Sequence, residues 1–316
     1  MVYIGIDLGG TNIKGALVDA QGAILREENC PTGAENGAET VCDRIAEVIS
    51  SLREGLDGAV LGGVGLGCPG TVDDVSGRVL YANNLGWEDF DLREAIRQRT
   101  GIATRIGNDA NVAALAEARM GRAKGAESAV VVTLGTGVGG GVVLGGRMLT
   151  GYTGAASELG HIVIREGGER CTCGRCGCFE AYASATALIR ETKRAMAAAP
   201  GSLMYTLAVE SGGVDGRTAF AAAQCGDAAA RTVVEHYLDD LACGLANIVN
   251  IFFPEVVALS GGVANQGDAL LAPLRERVRR LSYGSAYAKR HTRLELCTLG
   301  YRAGVLGAAL LAMEQE

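Results

Sequence analysis

The sequence predicts a mixed α/β protein built from two related halves. A strand followed by a glycine-rich turn occurs three times, and the turns lie at residues 9–12, 135–137 and 261–262. Segments between these turns carry apolar residues at helical spacing. Two of the turns share the form Asp/Thr-Leu-Gly, which indicates a duplicated architecture with a nucleotide held between two halves.

The composition is that of an ordinary globular protein. The chain has 316 residues, of which 48% are hydrophobic and 21% charged, enough for two domain cores. Its net charge of −7 argues against nucleic acid as the main partner. Charged residues interrupt every apolar run, so we expect no membrane span. A strand begins directly after Met1, without a basic leader, and we therefore expect no signal peptide and a cytoplasmic protein.

The first strand–turn–strand element covers residues 2–19. Its turn glycines allow backbone N–H groups to point into one concavity, which suits phosphate oxygens. Asp7, at the end of the first strand, is placed to hold a metal-bound water. A plain β-hairpin with a polar turn explains this segment equally well on local grounds.

Two familiar nucleotide motifs are excluded in the following segments. Residues 38–55 have helical periodicity and residues 59–66 form a predicted strand. The glycines that follow match G-x-G-x-x-G, but Pro69 and a non-helical continuation remove the helix that a dinucleotide site requires. The chain contains no G-x-x-x-x-G-K-[ST] motif.

A short helix at 89–99 and a strand at 104–106 lead to Asn108 and Asp109, which open another helix. Two interpretations of Asp109 stay open. An aspartate at a helix N-terminus complements the helix dipole. A carboxylate that faces a cleft can instead accept a proton from a substrate hydroxyl.

The later elements repeat the first pattern. Residues 129–144 read as strand, Gly-Thr-Gly turn and strand, and a strand at 256–260 precedes the third turn. Helices are predicted at 228–250 and 303–313.

Four of the ten cysteines fall within eight residues, 171–178, and His161 precedes them by ten residues. Glu158 and Glu180 bracket the set. Zinc takes four such ligands in a tetrahedron. A disulfide is disfavoured, because C-x-C spacing is too tight and the expected compartment is reducing. Five side chains compete for four places: His161, Cys171, Cys173, Cys176 and Cys178.

Taken together, these motifs resemble the ROK family of sugar kinases and related repressors. The first turn reads Asp7-Leu-Gly-Gly-Thr11-Asn12-Ile-Lys14, and Gly135-Thr136-Gly137 and Ser260-Gly261-Gly262 resemble the second and third turns of the family. The most specific match is Cys171-Thr-Cys173-Gly-Arg-Cys176-Gly-Cys178-Phe-Glu180, preceded by Glu158-Leu-Gly-His161.

The resemblance implies the two-domain, ribonuclease H-like fold of actin, hexokinase and the chaperone ATPases, with a nucleotide and sugar cleft between domains. We expect each domain to contain a five-stranded mixed sheet. The smaller would span residues 1–110 and receive the C-terminal helix 301–316. The larger would span 111–300 and carry the zinc loop.

The resemblance also implies roles for individual residues. Asp109 matches the catalytic base. Contacts with the sugar are implied for Asn108, Glu158, His161, Glu180 and Gly70. A structural zinc ion would be bound by His161, Cys171, Cys173 and Cys178. ATP with Mg²⁺ would be bound by Asp7, Gly9, Gly10, Thr11, Asn12, Lys14, Gly135, Thr136, Gly137, Gly261 and Gly262.

By this resemblance the expected reaction is ATP-dependent phosphorylation of glucose at its 6-hydroxyl. The run 180–186 is similar to the branch of the family that phosphorylates glucose; mannose, fructose, N-acetylglucosamine and N-acetylmannosamine are the alternative sugars. A sugar-responsive repressor is disfavoured, because only six residues precede Asp7 and leave no room for a DNA-binding segment. By analogy, we expect a homodimer.

Overall fold

The computed structural model describes residues 1–56 and 59–314, and the chain divides into two compact units. Unit 1 comprises Met1–Ser128, Gly141–Ser157 and Thr298–Glu316, and unit 2 comprises Ala129–Gly140 and Glu158–Cys297. Unit 1 therefore extends beyond the expected boundary at residue 110. The boundary of the functional domain stays a prediction, since compactness alone defines these units.

Unit 1 contains the first strands and helices of the chain together with the last helix. Its strands are β1 Val2–Leu8, β2 Asn12–Asp19, β3 Ile24–Pro31, β4 Leu61–Cys68, β5 Thr71–Asp73, β6 Arg78–Ala82, β7 Trp87–Phe90 and β8 Thr104–Asn108. Its helices are α1 Ala38–Arg53, α2 Leu92–Thr100, α3 Asp109–Arg119 and α10 Ala303–Met313.

The main sheet of unit 1 has five strands in the order β3-β2-β1-β4-β8. Strand β1 is antiparallel to β2 and parallel to β4, and β4 is parallel to β8, so the sheet is mixed as predicted. Helix α1 packs on one face through the apolar positions that predicted it, and Val41, Ile45 and Ile49 are buried. The parallel β1, β4 and β8 bring the residues that follow them to one edge of the sheet.

Helix α10 lies against the other face of this sheet at unusually short range. A Cβ added to Gly5 of β1 would lie 1.9 Å from the carbonyl oxygen of Val305, and one added to Gly65 of β4 would lie 1.9 Å from that of Ala308. Only glycine permits this approach of helix and sheet backbones. The C-terminal helix was predicted from its composition, and the last two residues of the expected range 301–316 lie outside the described residues.

Part of unit 1 was predicted incorrectly. Residues 89 and 90 were expected to begin a helix, but they belong to β7 of a three-stranded antiparallel sheet, β5-β6-β7. The helix begins later, because Asp91 is its N-cap and accepts a hydrogen bond from the N–H of Glu94 at 3.1 Å. The short strands of this sheet carry no clear alternating pattern, so the sequence did not reveal them.

Unit 2 contains most of the helices. The structure has strands β9 Ser128–Leu134, β10 Val138–Leu144, β11 Arg147–Met148, β12 Val256–Ser260 and β13 Arg293–Leu296. The helices are α4 Glu180–Ala183, α5 Ala185–Ala198, α6 Met204–Glu210, α7 Thr218–Gln224, α8 Ala228–Phe252 and α9 Asp268–Leu281.

The second sheet has the order β11-β10-β9-β12-β13. Strand β12 is parallel to both β9 and β13, and β10 is antiparallel to β11, so this sheet is also five-stranded and mixed. Helix α8 covers the predicted range 228–250 and begins at the N-cap Asp227. Within residues 1–56 and 59–314, no helix combines the length and the apolar character needed to cross a membrane.

Candidate functional site

The turn between β1 and β2 is closed by its own backbone. The N–H of Gly9 donates to the carbonyl of Asn12 at 2.9 Å, and the Thr32 hydroxyl donates to the carbonyl of Gly9 at 2.6 Å. Gly10, Thr11 and Asn12 are exposed, so the loop presents its backbone to solvent. The turn is therefore solvent-accessible, and its contact with phosphate oxygens stays a prediction.

Asp7 lies at the start of this turn and is paired in register with Lys14 of β2. Burial raises the pKa of the Asp7 carboxyl group, and the positive charge of Lys14 opposes this rise. A divalent cation near the carboxylate would further favour its charged form. The role of Asp7 toward a metal ion or its bound water stays a prediction.

Asn108 and Gly70, two of the predicted sugar-contacting residues, are joined by a hydrogen bond. Its Oδ1 caps α3 by accepting the N–H of Asn111 at 3.0 Å, and its Nδ2 donates to the carbonyl of Gly70 at 2.9 Å. The N-cap is therefore Asn108, and Asp109 is the first helical residue, half-buried, with Oδ1 accepting the N–H of Ala110 at 2.8 Å. Asp109 thus lies in the first turn of α3, where a carboxylate complements the helix dipole, and its role as a base stays a prediction.

The second and third glycine turns follow adjacent parallel strands of unit 2. Ser260, at the end of β12, is paired with Thr133 of β9, and their hydroxyl oxygens are 2.9 Å apart. The turns that follow these strands, at residues 135–137 and 261–262, therefore leave the same edge of the sheet. The N-terminal part of α5 supports the second turn, since Ala185 donates its N–H to the carbonyl of Gly135 at 2.8 Å.

Four side chains of unit 2 converge as a candidate metal centre. The ligand atoms of His161, Cys171, Cys173 and Cys178 all lie within 4.8 Å of one another. The Sγ atoms of Cys173 and Cys178 are 3.7 Å apart, and the Sγ of Cys171 lies 3.7 Å from Nδ1 of His161. A tetrahedron with Zn–S bonds of about 2.3 Å has edges of about 3.8 Å, so the donor set and its spacing fit zinc.

Cys176, the fifth candidate, is exposed and does not belong to this group of four. Arg170 and Cys176 form an isolated β-bridge, and Val163 and Cys178 form another. Extended residues two apart share one face, so these bridges do not by themselves separate Cys176 from Cys178. The spacing of the cysteines alone did not distinguish them.

The thiols of the candidate centre differ in their electrostatic environments. Burial raises the pKa of Cys178 to about 12, and it also raises the pKa of Cys171. A hydrogen bond from the backbone of Arg175 lowers the pKa of Cys173. A bound divalent cation favours the thiolate forms of all three.

Glu180 connects the cysteine loop with the second glycine turn. Its Oε1 accepts a hydrogen bond from the Thr172 hydroxyl at 2.9 Å, and its Oε2 accepts the N–H of Val138 at 3.1 Å. A Cβ added to Gly137 would lie 2.3 Å from Oε2, so a side chain at this position would displace the Glu180 carboxylate. Glu180 and Gly137 were predicted from the sequence, whereas no role was predicted for Thr172 within the same motif.

Glu158 and His161 flank a short 3₁₀ turn formed by Leu159–His161. The N–H of His161 donates to the carbonyl of Glu158 at 3.1 Å, and the Glu158 side chain is exposed. Because Nδ1 of His161 faces Cys171, its Nε2 points away from that sulfur. The site residues Asp7, Gly70, Asn108 and Asp109 belong to unit 1, and Glu158, His161 and Glu180 belong to unit 2.

Comparison with known proteins assigns the chain to a family. The model of the ROK family matches residues 3–315, and the chain therefore belongs to the ROK family. A glucokinase of Thermotoga maritima is 38% identical over 313 residues, which cover 99% of this chain and 97% of that protein. A glucokinase of Halalkalibacterium halodurans is 36% identical over 317 residues, covering 99% and 96%.

A solved structure supports the same assignment. The ROK family glucokinase from Streptomyces griseus, in complex with glucose and AMPPNP, matches 100% of both chains with a TM-score of 0.81 and 34% identity. The chain thus has the two-domain actin/hexokinase-like α/β fold of these relatives, and the fold class predicted from the sequence is confirmed.

Proposed function

We propose that this protein is a glucokinase, which transfers the γ-phosphoryl group of ATP to the 6-hydroxyl of glucose. The observation that carries the proposal is the full-length similarity to a relative that was solved with glucose and AMPPNP. Two further relatives that match nearly the whole chain are also glucokinases.

Asp109 is the proposed general base. It accepts the proton of the 6-hydroxyl while that oxygen attacks the γ-phosphorus and the bond to the bridging oxygen of ADP breaks. The two hydrogen bonds of Asn108 fix the backbone next to it, which supports accurate placement of the carboxylate. Because the transition state of phosphoryl transfer is loose, positioning contributes more than the strength of the base.

The proposed sugar contacts are Asn108, Gly70, Glu158, His161 and Glu180. Carboxylates and amides at such positions distinguish epimers, because a misplaced hydroxyl leaves a polar group unpaired. The hydrogen bonds that Glu180 accepts from Thr172 and Val138 support this role, since they restrict its rotamers before glucose binds.

The nucleotide is proposed to bind along the three glycine turns. The turns at residues 9–12 and 135–137 would contact its phosphates through backbone N–H groups other than those of Gly9 and Gly135, which are bonded within their own turns. Lys14 would supply a cation, and residues 261–262 would contact the adenosine. Asp7 would hold Mg²⁺ or its bound water, and the ion supplies charge neutralisation of the phosphates.

Zinc is proposed to occupy the candidate metal centre, held by Nδ1 of His161 and by the sulfurs of Cys171, Cys173 and Cys178. Four protein ligands leave no position for a reactive water, so the ion would supply loop structure only. Ligation through Nδ1 would orient the His161 ring and leave Nε2 to contact the sugar.

A kinase for another hexose is the second candidate, since mannose, fructose and the two N-acetylated sugars would use the same base and phosphate turns. The deciding experiment measures ATP- and Mg²⁺-dependent phosphorylation of these four sugars and glucose, with the position of the phosphate determined by NMR. Preference for glucose with product at C6 supports the proposal, and preference for another sugar replaces it.

The homodimer expected from the resemblance stays a prediction. Sedimentation equilibrium of the purified protein measures the oligomeric state.

A further inference from the structure

The most basic part of the chain lies near the end of unit 2. Residues 275–293, here called the basic segment, contain six Arg, one Lys and one Glu, a net charge of +6. The whole chain has a net charge of −7, so the residues outside the segment carry −13. A local inversion of charge of this size indicates contact with an anionic ligand.

The fold accounts for part of this charge. Arg277 forms ion pairs with Glu235 and, at 2.9 Å, with Asp239. Arg279 and Arg280 occupy the last turn of α9, where cations complement the helix dipole. The cations that follow residue 288 lie beyond the helix and have no such explanation.

The basic segment borders a cavity of about 260 Å³, here called the arginine cavity. Arg275 and Arg279 reach it from α9, and His291 and Arg293 reach it from the chain that leads into β13. Nε and Nη2 of Arg275 donate to the carbonyl of Leu294 at 3.1 and 2.9 Å, which holds this guanidinium at the wall. Cationic groups from two separate elements thus meet at one cavity.

The remaining wall is mixed. Glu295 lies 3.6 Å from Nη2 of Arg275 and offsets one positive charge. Glu276, which does not line the cavity, forms an exposed ion pair of 3.9 Å with Nε of Arg279; because such a surface pair is weak, Arg279 and Arg293 still supply an excess of positive charge. Phe253 and Tyr283 also border the cavity and are 59% and 93% exposed. Phe253 is the left-handed C-cap of α8, with φ +41°, and its N–H donates to the carbonyl of Val249 at 2.8 Å, which fixes the backbone at this wall of the cavity.

We propose that the arginine cavity binds a small phosphate-bearing ligand. Its phosphate would contact the guanidinium groups of Arg279 and Arg293, which match phosphate geometry better than ammonium groups do. The exposed rings of Phe253 and Tyr283 would contact the rest of the ligand. The small cavity, about 260 Å³, suits a phosphate monoester or pyrophosphate.

Calorimetric titration of the full chain with inorganic pyrophosphate, glucose 6-phosphate and AMP tests this site. Saturating glucose and Mg²⁺–AMPPNP are present throughout, so that the proposed active site is occupied. The test variant is Arg279→Gln/Arg293→Gln. The matched control is Arg280→Gln/Arg290→Gln, which removes the same charge from the same segment at two positions that do not line the cavity.

We expect saturable binding of at least one probe, with one site per chain. The test variant should weaken it at least about tenfold and the control variant less than about threefold. Pyrophosphate binding alone identifies an inorganic phosphate site, whereas stronger binding of AMP or glucose 6-phosphate identifies an ester. Equal loss in both variants, or no saturable binding of any probe up to about 10 mM, overturns the proposal. Because the titration needs no turnover, its failure is distinguishable from failure of the proposed kinase activity.

Discussion

The hydroxyl of Thr172 donates a hydrogen bond of 2.9 Å to Oε1 of Glu180. Thr172 lies between two cysteines of the candidate metal centre, and Oε2 of Glu180 accepts the N–H of Val138 beside the second glycine turn. One carboxylate therefore links the cysteine loop to a turn proposed to bind phosphate. This link couples the order of the loop to the position of a proposed sugar contact.

Replacing Thr172 by Val tests the link, because Val keeps the shape of the side chain and removes the hydroxyl. Loss of one hydrogen bond to a carboxylate costs about 1–2 kcal/mol, so KM for glucose should rise roughly tenfold with a smaller change in kcat. Thr172→Ser retains the donor and should behave like the parent. An unchanged KM in the Val variant would show that Thr172 does not position Glu180.

Asp109→Asn tests the general base. The amide keeps the size of the side chain and cannot accept the proton, so kcat should fall by at least about 100-fold while glucose still binds. Glucose affinity is measured by calorimetry and the fold by circular dichroism. Turnover close to that of the parent would remove Asp109 from the base role.

Cys173→Ser tests the metal centre, with Cys176→Ser as its matched control. Cys173 belongs to the group of four and Cys176 does not, although both are exposed. The Cys173 variant should lose most of its zinc, measured by atomic absorption, and melt at least about 5 °C lower. If the Cys176 variant loses as much zinc, the ligand assignment is wrong.

Asp7→Asn should separate stability from activity. Burial raises the pKa of Asp7 in the folded state above its unfolded value, so the folded state binds the proton more tightly. The loss of stability that comes from charging Asp7 is absent below the unfolded pKa. It grows as pH rises from the unfolded pKa through the folded pKa, and it is complete above the folded pKa. The variant should therefore be more stable than the parent near pH 7, and this difference should disappear in acid. Its Mg²⁺-dependent turnover should be lost. Denaturant unfolding at both pH values measures the stability difference, and a variant less stable than the parent at pH 7 would contradict it.

Glu117→Gln tests a buried attachment of the C-terminal segment to α3. Oε1 of Glu117 accepts the N–H groups of Thr298 and Leu299 at 2.9 and 2.8 Å, and Oε2 accepts that of Arg122 at 3.0 Å. An amide has one acceptor oxygen and turns an NH₂ group toward a donor, so unfolding free energy should fall by about 2 kcal/mol. Glu94→Gln, on an exposed helix face, should cost less than about 0.5 kcal/mol. Similar losses in both variants would argue against the attachment.

The sequence alone predicted those features that depend on short-range pattern. The apolar spacing of residues 38–55 and 228–250 predicted α1 and α8, and both are confirmed. The motif from Glu158 to Glu180 identified the family, which the match over residues 3–315 confirms. Periodicity and motif spacing are properties of neighbouring residues, so they can be read before the chain folds.

Tertiary structure decided the features that depend on residues distant in the chain. It excluded Cys176 from the group of four, placed the Thr172 hydroxyl on Glu180, and brought Arg279 and Arg293 to one cavity. It also set α10 against Gly5 and Gly65, which both lie in the first quarter of the sequence, far from this C-terminal helix. Such contacts follow from the direction of each side chain after strands and helices have packed, and no local pattern encodes that direction.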